Sequence, residues 1–385
     1  MGQLPSWSDI TLNHVQTGNY PGALKFIKSL LQEYMPLWPL LRLTQDFSKR
    51  EQELEKPFYN LALAALRFII THQNADLNKI YELFSLVLST VDLFQDRQLK
   101  IEPMNAFLEK SMEFFSEDNV DIFFEVLLNM VLEGSMNALP AAIFKPMLIN
   151  FADAEKLSIL EDMIVMLDLR TLDIDLAVKL CQKYGLFCVL MYICNAIFGD
   201  YVLPLVDAIS RINGKPEETF IFRTGQVKSV NTIFDYLSFV LTGRQFPKSD
   251  LIMPMERQID VKVSLYHILF SGTCVEWPPG SRKKLHTEKD SDHEPAFPYF
   301  NLLINFNTAR MLSTLNEIFE DSLLNEGYAE NGPGTDPPVQ ITRQYMIDVI
   351  LDMMKKKESA REKVLMGVFI ACNVAKYPQF IRLSS

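Results

Sequence analysis

The sequence predicts an all-α fold, an irregular α-solenoid in which helical hairpins are stacked on one another. Apolar residues recur at helical spacing along most of the chain, for example in the stripe of Val120, Phe123, Phe124, Leu127 and Val131. The 385 residues include 15 glycines but 27 Phe and 17 Met, which favours packed helices over a turn-rich β-fold. Helix, short turn and helix follow one another without a fixed-length repeat, so each pair would bury its face against its neighbours.

The N-terminal region reads as a helical hairpin. The first predicted helix covers 10–16 and ends at the turn 17–19. The second runs from Tyr20 to Tyr34 and has Pro21 in its first turn, where the missing N–H costs nothing.

Proline and capping residues divide the next stretch. Pro36, Pro39 and Pro57 interrupt the chain, and the helical period repeats after Pro57. Ser116 is the expected N-cap of the helix that carries the stripe at 120–131, with Gly134 as its stop. A further amphipathic helix is expected over 152–167.

The centre contains two helices joined at a glycine. The first presents an apolar face from Ile174 to Cys181 and ends at Gly185, where we expect a left-handed conformation. The next helix, over 186–198, is apolar almost all round, so we expect it to be covered on several sides. Near the C-terminus, one stripe contains Met346, Val349, Ile350 and Met353, and the last helix is expected to bury Val364, Val368, Ala371 and Ala375.

These patterns divide the chain into five predicted parts. The solenoid covers 1–276 and is followed by a charged, proline-rich flexible insertion at 277–298 that has little to bury. Helices continue over 299–326, a Gly/Pro loop covers 327–338, and the last helices of the solenoid cover 339–385.

Charge and hydropathy argue against nucleic-acid and membrane-spanning classes. The formal net charge is −11, which would repel a phosphate backbone, and the basic clusters at 282–284 and 355–357 are small enough to be solvated. The densest apolar run, 186–198, is too short for a bilayer span of about 20 residues. No secretory signal is recognisable, so we expect a cytosolic protein, or one peripheral to a membrane through its partners.

The cysteine pattern indicates core packing rather than a metal site or a disulfide framework. The five cysteines include no CxxC pair, which is typical of a reducing compartment. Cys181, Cys188 and Cys194 fall within apolar helical pattern at spacings wider than those of structural zinc pairs, so we expect them to pack in the core.

No catalytic, cofactor-binding or metal-binding residue is predicted. P-loop, GxGxxG, GxSxG and HExxH motifs are absent from the sequence. Imidazoles and carboxylates do concentrate in the charged insertion, and a metal site there is conceivable; a solvated loop is the preferred interpretation because ordering the segment costs entropy. The residues concerned are His286, His293, Asp290, Asp292 and Glu294. The Met and Phe stripes are interpreted as core, with a groove for a partner helix as the alternative.

Several stretches, matching in order over nearly the whole chain, resemble the family of CORVET-specific, RING-bearing endosomal tethering subunits, the eighth vacuolar-protein-sorting proteins. The most distinctive are LTGRQFP at 241–247, WPPG at 277–280 and KYPQFI at 376–381. The others are 7–10, 17–24, 172–175, 180–186, 200–205, 236–238, 270–273, 297–299 and 319–321.

The resemblance implies a clathrin-heavy-chain-repeat-like solenoid that acts as a scaffold subunit of an endosomal vesicle-tethering complex. It further implies a role in endosome-to-vacuole or lysosome transport and membrane fusion, at a cytoplasmic location peripheral to those membranes. The expected partners are the shared core subunits of the vacuolar sorting tethers. Family members also carry a RING and a β-propeller, and their contact with an early-endosomal Rab GTPase is associated with the propeller. Neither a propeller pattern nor a RING pattern is present in this sequence. The resemblance therefore implies that the chain corresponds to the solenoid portion of the family.

Two alternatives stay open at this point. Within the same architecture, the chain would be a subunit of another clathrin-repeat coat or of the HOPS tether. The alternative from a different class of protein is a helical enzyme or GTPase regulator. Such a protein would require a deep polar pocket with converging titratable groups, and the sequence contains no cluster of titratable residues that indicates one.

Overall fold

The structure is a computed structural model that describes residues 5–32, 41–96, 98–154, 156–213, 231–248, 251–288, 294–325 and 340–383. The predicted all-α solenoid class is confirmed: over these residues the chain forms seventeen α-helices, and the β-structure consists of two isolated bridges. By compactness the chain divides into two units, Met1–Ala177 and Val178–Ser385. None of the described helices combines the length and apolar content needed to cross a membrane.

The first unit contains two layers of helices. Its helices are α1 (Trp7–Gln16), α2 (Tyr20–Leu31), α3 (Phe47–His72), α4 (Leu77–Val91), α5 (Gln98–Met112), α6 (Val120–Leu132), α7 (Ala141–Asp153) and α8 (Leu157–Met166). Helices α2, α4, α6 and α8 contact one another in succession, and α3, α5 and α7 do the same. Apart from α1, which has no buried residue, these helices bury apolar side chains against near neighbours in the chain, which is the packing of a solenoid.

The expectation that Pro57 interrupts the chain is wrong, because α3 passes through it. The helix begins after Asp46, whose side chain accepts from the backbone N–H of Lys49 at 3.3 Å. An internal proline costs about 3 kcal/mol. Leu54 and Phe58 on either side of it are fully buried, and their burial offsets this cost.

Two further expectations about helix ends are corrected. The N-cap of α6 is Asn119, and its side chain accepts from the backbone of Ser116, so Ser116 starts the preceding turn instead of capping the helix. The helix expected over 152–167 is two helices, since α7 ends at Asp153 and α8 starts at Leu157. Continuous apolar spacing across a short turn explains why the sequence pattern merges them.

The second unit is arranged around one central helix. The boundary between the two units lies within α9 (Ile174–Tyr184). The helices that follow are α10 (Phe187–Ile193), α11 (Leu203–Ile212), α12 (Thr232–Leu241), α13 (Met255–Leu269), α14 (Pro298–Phe306), α15 (Thr308–Ile318), α16 (Arg343–Lys356) and α17 (Ala360–Lys376). Helix α12 contacts α11, α13 and α15 and is buried on nearly every side. α14 contacts α11, α13 and α15, and α17 contacts α15 and α16.

The buried face was predicted correctly for α16 and incorrectly for α17. The stripe predicted on α16 is buried, as expected. The face predicted for α17 is wrong, because Val364 and Val368 are exposed and the helix instead buries Met366, Phe369 and Ile370. Both faces fit the 3.6-residue period, and the face with the larger side chains removes more apolar area from water.

The domain division inferred from the sequence differs from the compact units, which separate inside the predicted 1–276 solenoid. The predicted loop at 327–338 lies outside the described residues. Of the insertion at 277–298, residues 277–288 and 294–298 are described, and they contain more buried surface than expected, since Leu285 and Thr287 are buried. The flexibility of the remaining residues of the insertion stays a prediction.

We predict that Gly185→Val destabilises the chain by about 1–2 kcal/mol or more. Gly185 has φ +72°, which disfavours a side chain, although a Cβ there would meet only the Phe187 ring at 3.6 Å. Urea unfolding followed by far-UV circular dichroism measures the loss. Gly272→Val is the control, because Gly272 has no positive φ and no atom within 4 Å of an added Cβ. Equal losses in both variants would contradict the assignment of left-handed strain to Gly185.

Candidate interaction surface

An exposed apolar patch lies in the second unit. Of the thirteen large hydrophobic side chains that are exposed in the described residues, six fall within two short stretches of sequence. We call these six the 197–259 patch: Ile197, Phe198, Leu251, Ile252, Met255 and Ile259. Phe198 and Ile252 are 63% and 73% exposed. Clustered exposed apolar residues are typical of protein-interaction sites, whereas single ones are not.

Two residues of the patch, Ile197 and Phe198, line a groove of about 560 Å³, and the others lie close in sequence to its lining residues Met253, Pro254 and Arg257. One wall is formed by the chain from Tyr192 to Tyr201 and the other by residues between Gln245 and Arg257. A hydrogen bond of 3.2 Å from the Arg257 guanidinium to the Gly199 carbonyl joins the two walls at one end.

The first wall owes its shape to a π-helical turn. Helix α10 widens into a π-helix at Cys194–Phe198, which ends at Gly199 with φ +66°. The backbone N–H groups of Gly199 and Asp200 both point to the Cys194 carbonyl. π-helical turns occur frequently at functional sites.

The expectation that the 186–198 helix is covered on several sides is therefore correct only in part. Residues up to Asn195 are mostly buried, whereas Ile197 and Phe198 are exposed. The wider turn places these last two side chains at the rim of the groove.

The second wall is a short irregular ribbon between α12 and α13. Arg244 and Ile252 form an antiparallel bridge, and the Gln245 N–H donates to the Leu251 carbonyl at 2.8 Å. Phe246 anchors this ribbon in the core, packing edge-on against Tyr236 and Phe239 with ring centroids 5.4 and 5.7 Å apart. The ribbon turns Leu251 and Ile252 toward solvent.

A buried tyrosine connects the groove to the core. The Tyr236 hydroxyl lies 2.7 Å from the Tyr201 carbonyl and 3.1 Å from the Asn195 amide. Asn195 lines the groove and is 7% exposed. Its Oδ1 accepts from Tyr236, whereas its Nδ2 has no hydrogen-bond partner among the described residues. Because this nitrogen is itself buried, it is an unsatisfied polar group of the core next to the groove.

The charge at the groove is positive. Arg257 is the single charged residue among the described residues that line it, and its guanidinium lies 5.4 Å from the Tyr201 ring centroid. The Lys248 ammonium lies 5.4 Å from the ring of Tyr192, another lining residue. Apolar walls with cations at the rim fit a segment that carries apolar side chains next to a carboxylate.

The cysteines expected in the core divide into two groups. Cys181 and Cys194 are buried, which confirms their assignment, while Cys188 is half-buried. Burial, and then the carboxylates of Asp200 and Asp207, raises the pKa of the Cys194 thiol to about 12. This thiol is therefore neutral at physiological pH and packs as a small apolar group.

The charged insertion brings together two of the residues weighed from the sequence. His286 Nδ1 lies 3.2 Å from Glu294 Oε1, and Cys274, which was not grouped with them, lies beside both. His293, Asp290 and Asp292 lie outside the described residues.

The patch itself was missed by sequence reasoning. Its clearest signal is the apolar run Leu251–Met255, which stands next to charged residues and contains a proline. Such a run is as typical of a buried helix start as of an exposed ribbon, so the sequence pattern alone does not separate the two.

Comparison with known proteins places this chain among vacuolar sorting proteins. A sequence model of the family described as Vps8 central TPR matches residues 122–319, which include the whole 197–259 patch. The chain is 44% identical, over its full length, to vacuolar protein sorting-associated protein 8 of Saccharomyces cerevisiae and covers 30% of that protein. It is 24% identical to the Mus musculus homologue over 60% of the chain, and 24% identical to the Schizosaccharomyces pombe protein over 67%. Those alignments cover 15% and 19% of the two relatives, so the chain spans less than a third of each of these proteins.

We predict that Tyr236→Phe lowers the free energy of unfolding by about 1–3 kcal/mol, because it leaves the Tyr201 carbonyl and the Asn195 amide without this partner. Thermal and urea unfolding measure the change. Tyr59→Phe is the control, since the buried Tyr59 hydroxyl has no hydrogen-bond partner among the described residues. We expect no loss there, and equal losses in both variants would rule out a specific contribution of the Tyr236 hydroxyl.

Proposed function

The chain belongs to the Vps8 central TPR family, and we propose that it is a scaffold segment of a CORVET-like endosomal vesicle-tethering complex. In this proposal it acts in protein transport from endosome to vacuole or lysosome and in the membrane fusion that completes it. The observation that supports the proposal best is the 44% identity to the Saccharomyces cerevisiae protein over the full chain.

The partners that we propose are the shared core subunits of the vacuolar sorting tethers. The 197–259 patch would bind one of them, because it combines exposed apolar side chains with a groove and a cationic rim. Phe198 and Ile252 would be covered on binding, and Arg257 would meet a carboxylate at the edge of the interface. A few well-buried side chains usually contribute most of the binding energy of an interface.

The location that we propose is the cytoplasmic face of endosomal and vacuolar membranes, reached through partner proteins. The net charge of −11 does not favour direct contact with acidic lipid headgroups or with nucleic acid. Binding of an early-endosomal Rab GTPase would need parts of the family outside the central region.

The chain's contribution in this proposal is mechanical rather than chemical. Stacked helices hold binding surfaces at fixed separations, so that a complex assembled on them keeps its geometry. The HOPS tether and other helical-repeat coats would use the same physical property, and the identity of the co-purifying subunits distinguishes them.

We predict that the double variant Phe198→Asp/Ile252→Asp recovers the core subunits at least about tenfold less than the unaltered chain. Both side chains are more than half exposed, so the fold should tolerate the changes, while the added carboxylates would be desolvated in an interface. Affinity purification of the chain from cells, with mass-spectrometric identification and quantification of co-purifying subunits, measures the effect.

Ile101→Asp is the matched control, because Ile101 is 51% exposed, lies on α5 and is not one of the six residues of the patch. It should recover the same subunits in full. Absence of vacuolar sorting subunits from the purification of the unaltered chain would overturn the proposed function. Full recovery with the double variant would overturn the assignment of the patch and leave the scaffold role standing.

A further inference from the structure

A second cluster of side chains lies in the second unit, in the link between α13 and α14. Cys274, His286 and Glu294 converge so that one sulfur, one nitrogen and one oxygen atom all lie within 4.8 Å of one another. None of the three lines the groove of the 197–259 patch. All three are half-buried, which leaves the cluster open to a small ion while screening it partly from water.

The backbone holds two of these residues opposite each other. Glu276 and Lys284 form an antiparallel bridge, and the Leu285 N–H donates to the Val275 carbonyl at 2.9 Å. Cys274 and His286 are the next residues outward on the two arms of this ribbon. Their approach is thus a consequence of backbone pairing.

The buried Tyr299 hydroxyl fixes the ribbon to the first turn of α14. It accepts from the Val275 N–H at 2.8 Å and donates to the Leu285 carbonyl at 2.7 Å. On the other side, the Asn213 side chain donates to the His286 carbonyl at 2.9 Å. Both arms that carry the cluster are therefore anchored in packed helices.

The third residue is also oriented. The Glu294 carboxylate accepts from the backbone N–H groups of Thr287 and Glu288 at 2.8 and 3.1 Å through Oε1, and from the Thr287 hydroxyl at 2.6 Å through Oε2. Thr287 is itself buried. Outer hydrogen bonds of this kind hold carboxylate ligands in place around metal ions.

From this geometry we propose that Cys274, His286 and Glu294 form a zinc site, with water as the fourth ligand. Thiolate, imidazole and carboxylate together are the ligand set of Zn²⁺, whereas Mg²⁺ and Ca²⁺ prefer oxygen alone. Tetrahedral zinc places its donor atoms about 3.3–3.6 Å apart, and His286 Nδ1 and Glu294 Oε1 are 3.2 Å apart. Small movements of the Cys274 side chain complete the coordination, and the thiol proton passes to solvent.

Zinc in this position ties the segment that enters α14 to the ribbon that follows α13. The ion replaces the hydrogen bond between His286 and Glu294 with stronger bonds to the metal. Binding then stabilises the folded chain, and at zinc concentrations above Kd the stability rises with the logarithm of that concentration. This inference does not depend on the proposed tethering function.

The full chain, stripped with a chelator and dialysed against ZnSO₄, should retain about one zinc per chain by elemental analysis. Its Tm should rise on zinc addition, and Co²⁺ should give a thiolate charge-transfer absorption band. Cys274→Ser, His286→Asn and Glu294→Gln should each abolish stoichiometric retention, and Cys274→Ser should also remove the band.

Cys188→Ser is the matched control, because Cys188 is a half-buried cysteine of the same unit outside the cluster. It should retain zinc and the cobalt band. Thr287→Val keeps all three ligands and removes the hydroxyl that orients Glu294, so zinc affinity should fall about 10–100-fold. Circular dichroism of each variant establishes that it is folded.

Two results would overturn the zinc site. One is that the unaltered chain neither retains zinc nor shifts its Tm when zinc is added. The other is that folded Cys274→Ser retains as much zinc as the unaltered chain. Either result would leave the cluster as a purely hydrogen-bonded one.

Discussion

The second unit depends on a constraint that its helices alone do not satisfy: the irregular links packed between them contain backbone polar groups that need partners. Two buried tyrosine hydroxyls supply them. Tyr236 on the central helix α12 bonds the Tyr201 carbonyl, and Tyr299 in the first turn of α14 bonds both arms of the ribbon at 275–285. Each ring fills core volume while its hydroxyl reaches a link, which a Phe could not do. The patch groove and the Cys274 cluster both lie on links held in this way.

The same unit uses buried cations to join helix ends. Arg343 at the start of α16 donates to the Phe319 and Asp321 carbonyls at 2.7 and 2.6 Å and lies 4.5 Å from the Tyr377 ring centroid. Lys262 on α13 reaches the Asp321 carboxylate at 2.5 Å. Buried charges are costly unless paired, so removing one partner of these contacts would leave an uncompensated charge in the core. A unit held in one arrangement can present a binding surface of constant shape.

The π-helical turn shows how a binding surface arises from a buried helix. A regular α-helix through Phe198 would continue the apolar spacing of α10, but the wider turn ends at Gly199 with Ile197 and Phe198 exposed. Exposing two large apolar side chains costs free energy that a bound partner would recover. Asn195, in the same turn, is buried with one end of its amide unpaired among the described residues. Arg257 lines the same groove, so hydrophobic and charged side chains occur together there.

The sequence by itself determined that the chain is helical, because helical periodicity is local and most helices, including α16 with its buried face, follow it. Which apolar face of α17 is covered, and that α3 continues through Pro57, were decided by packing against neighbouring helices. The patch could not be predicted, because the apolar sequence pattern at 251–255 is the same for an exposed ribbon as for a buried helix start. The Cys274 cluster joins residues that are 12 and 20 positions apart, and only the pairing of the ribbon and the anchoring by Tyr299 bring their side chains together. Local pattern decides the type of each element, whereas the tertiary structure decides what each element faces.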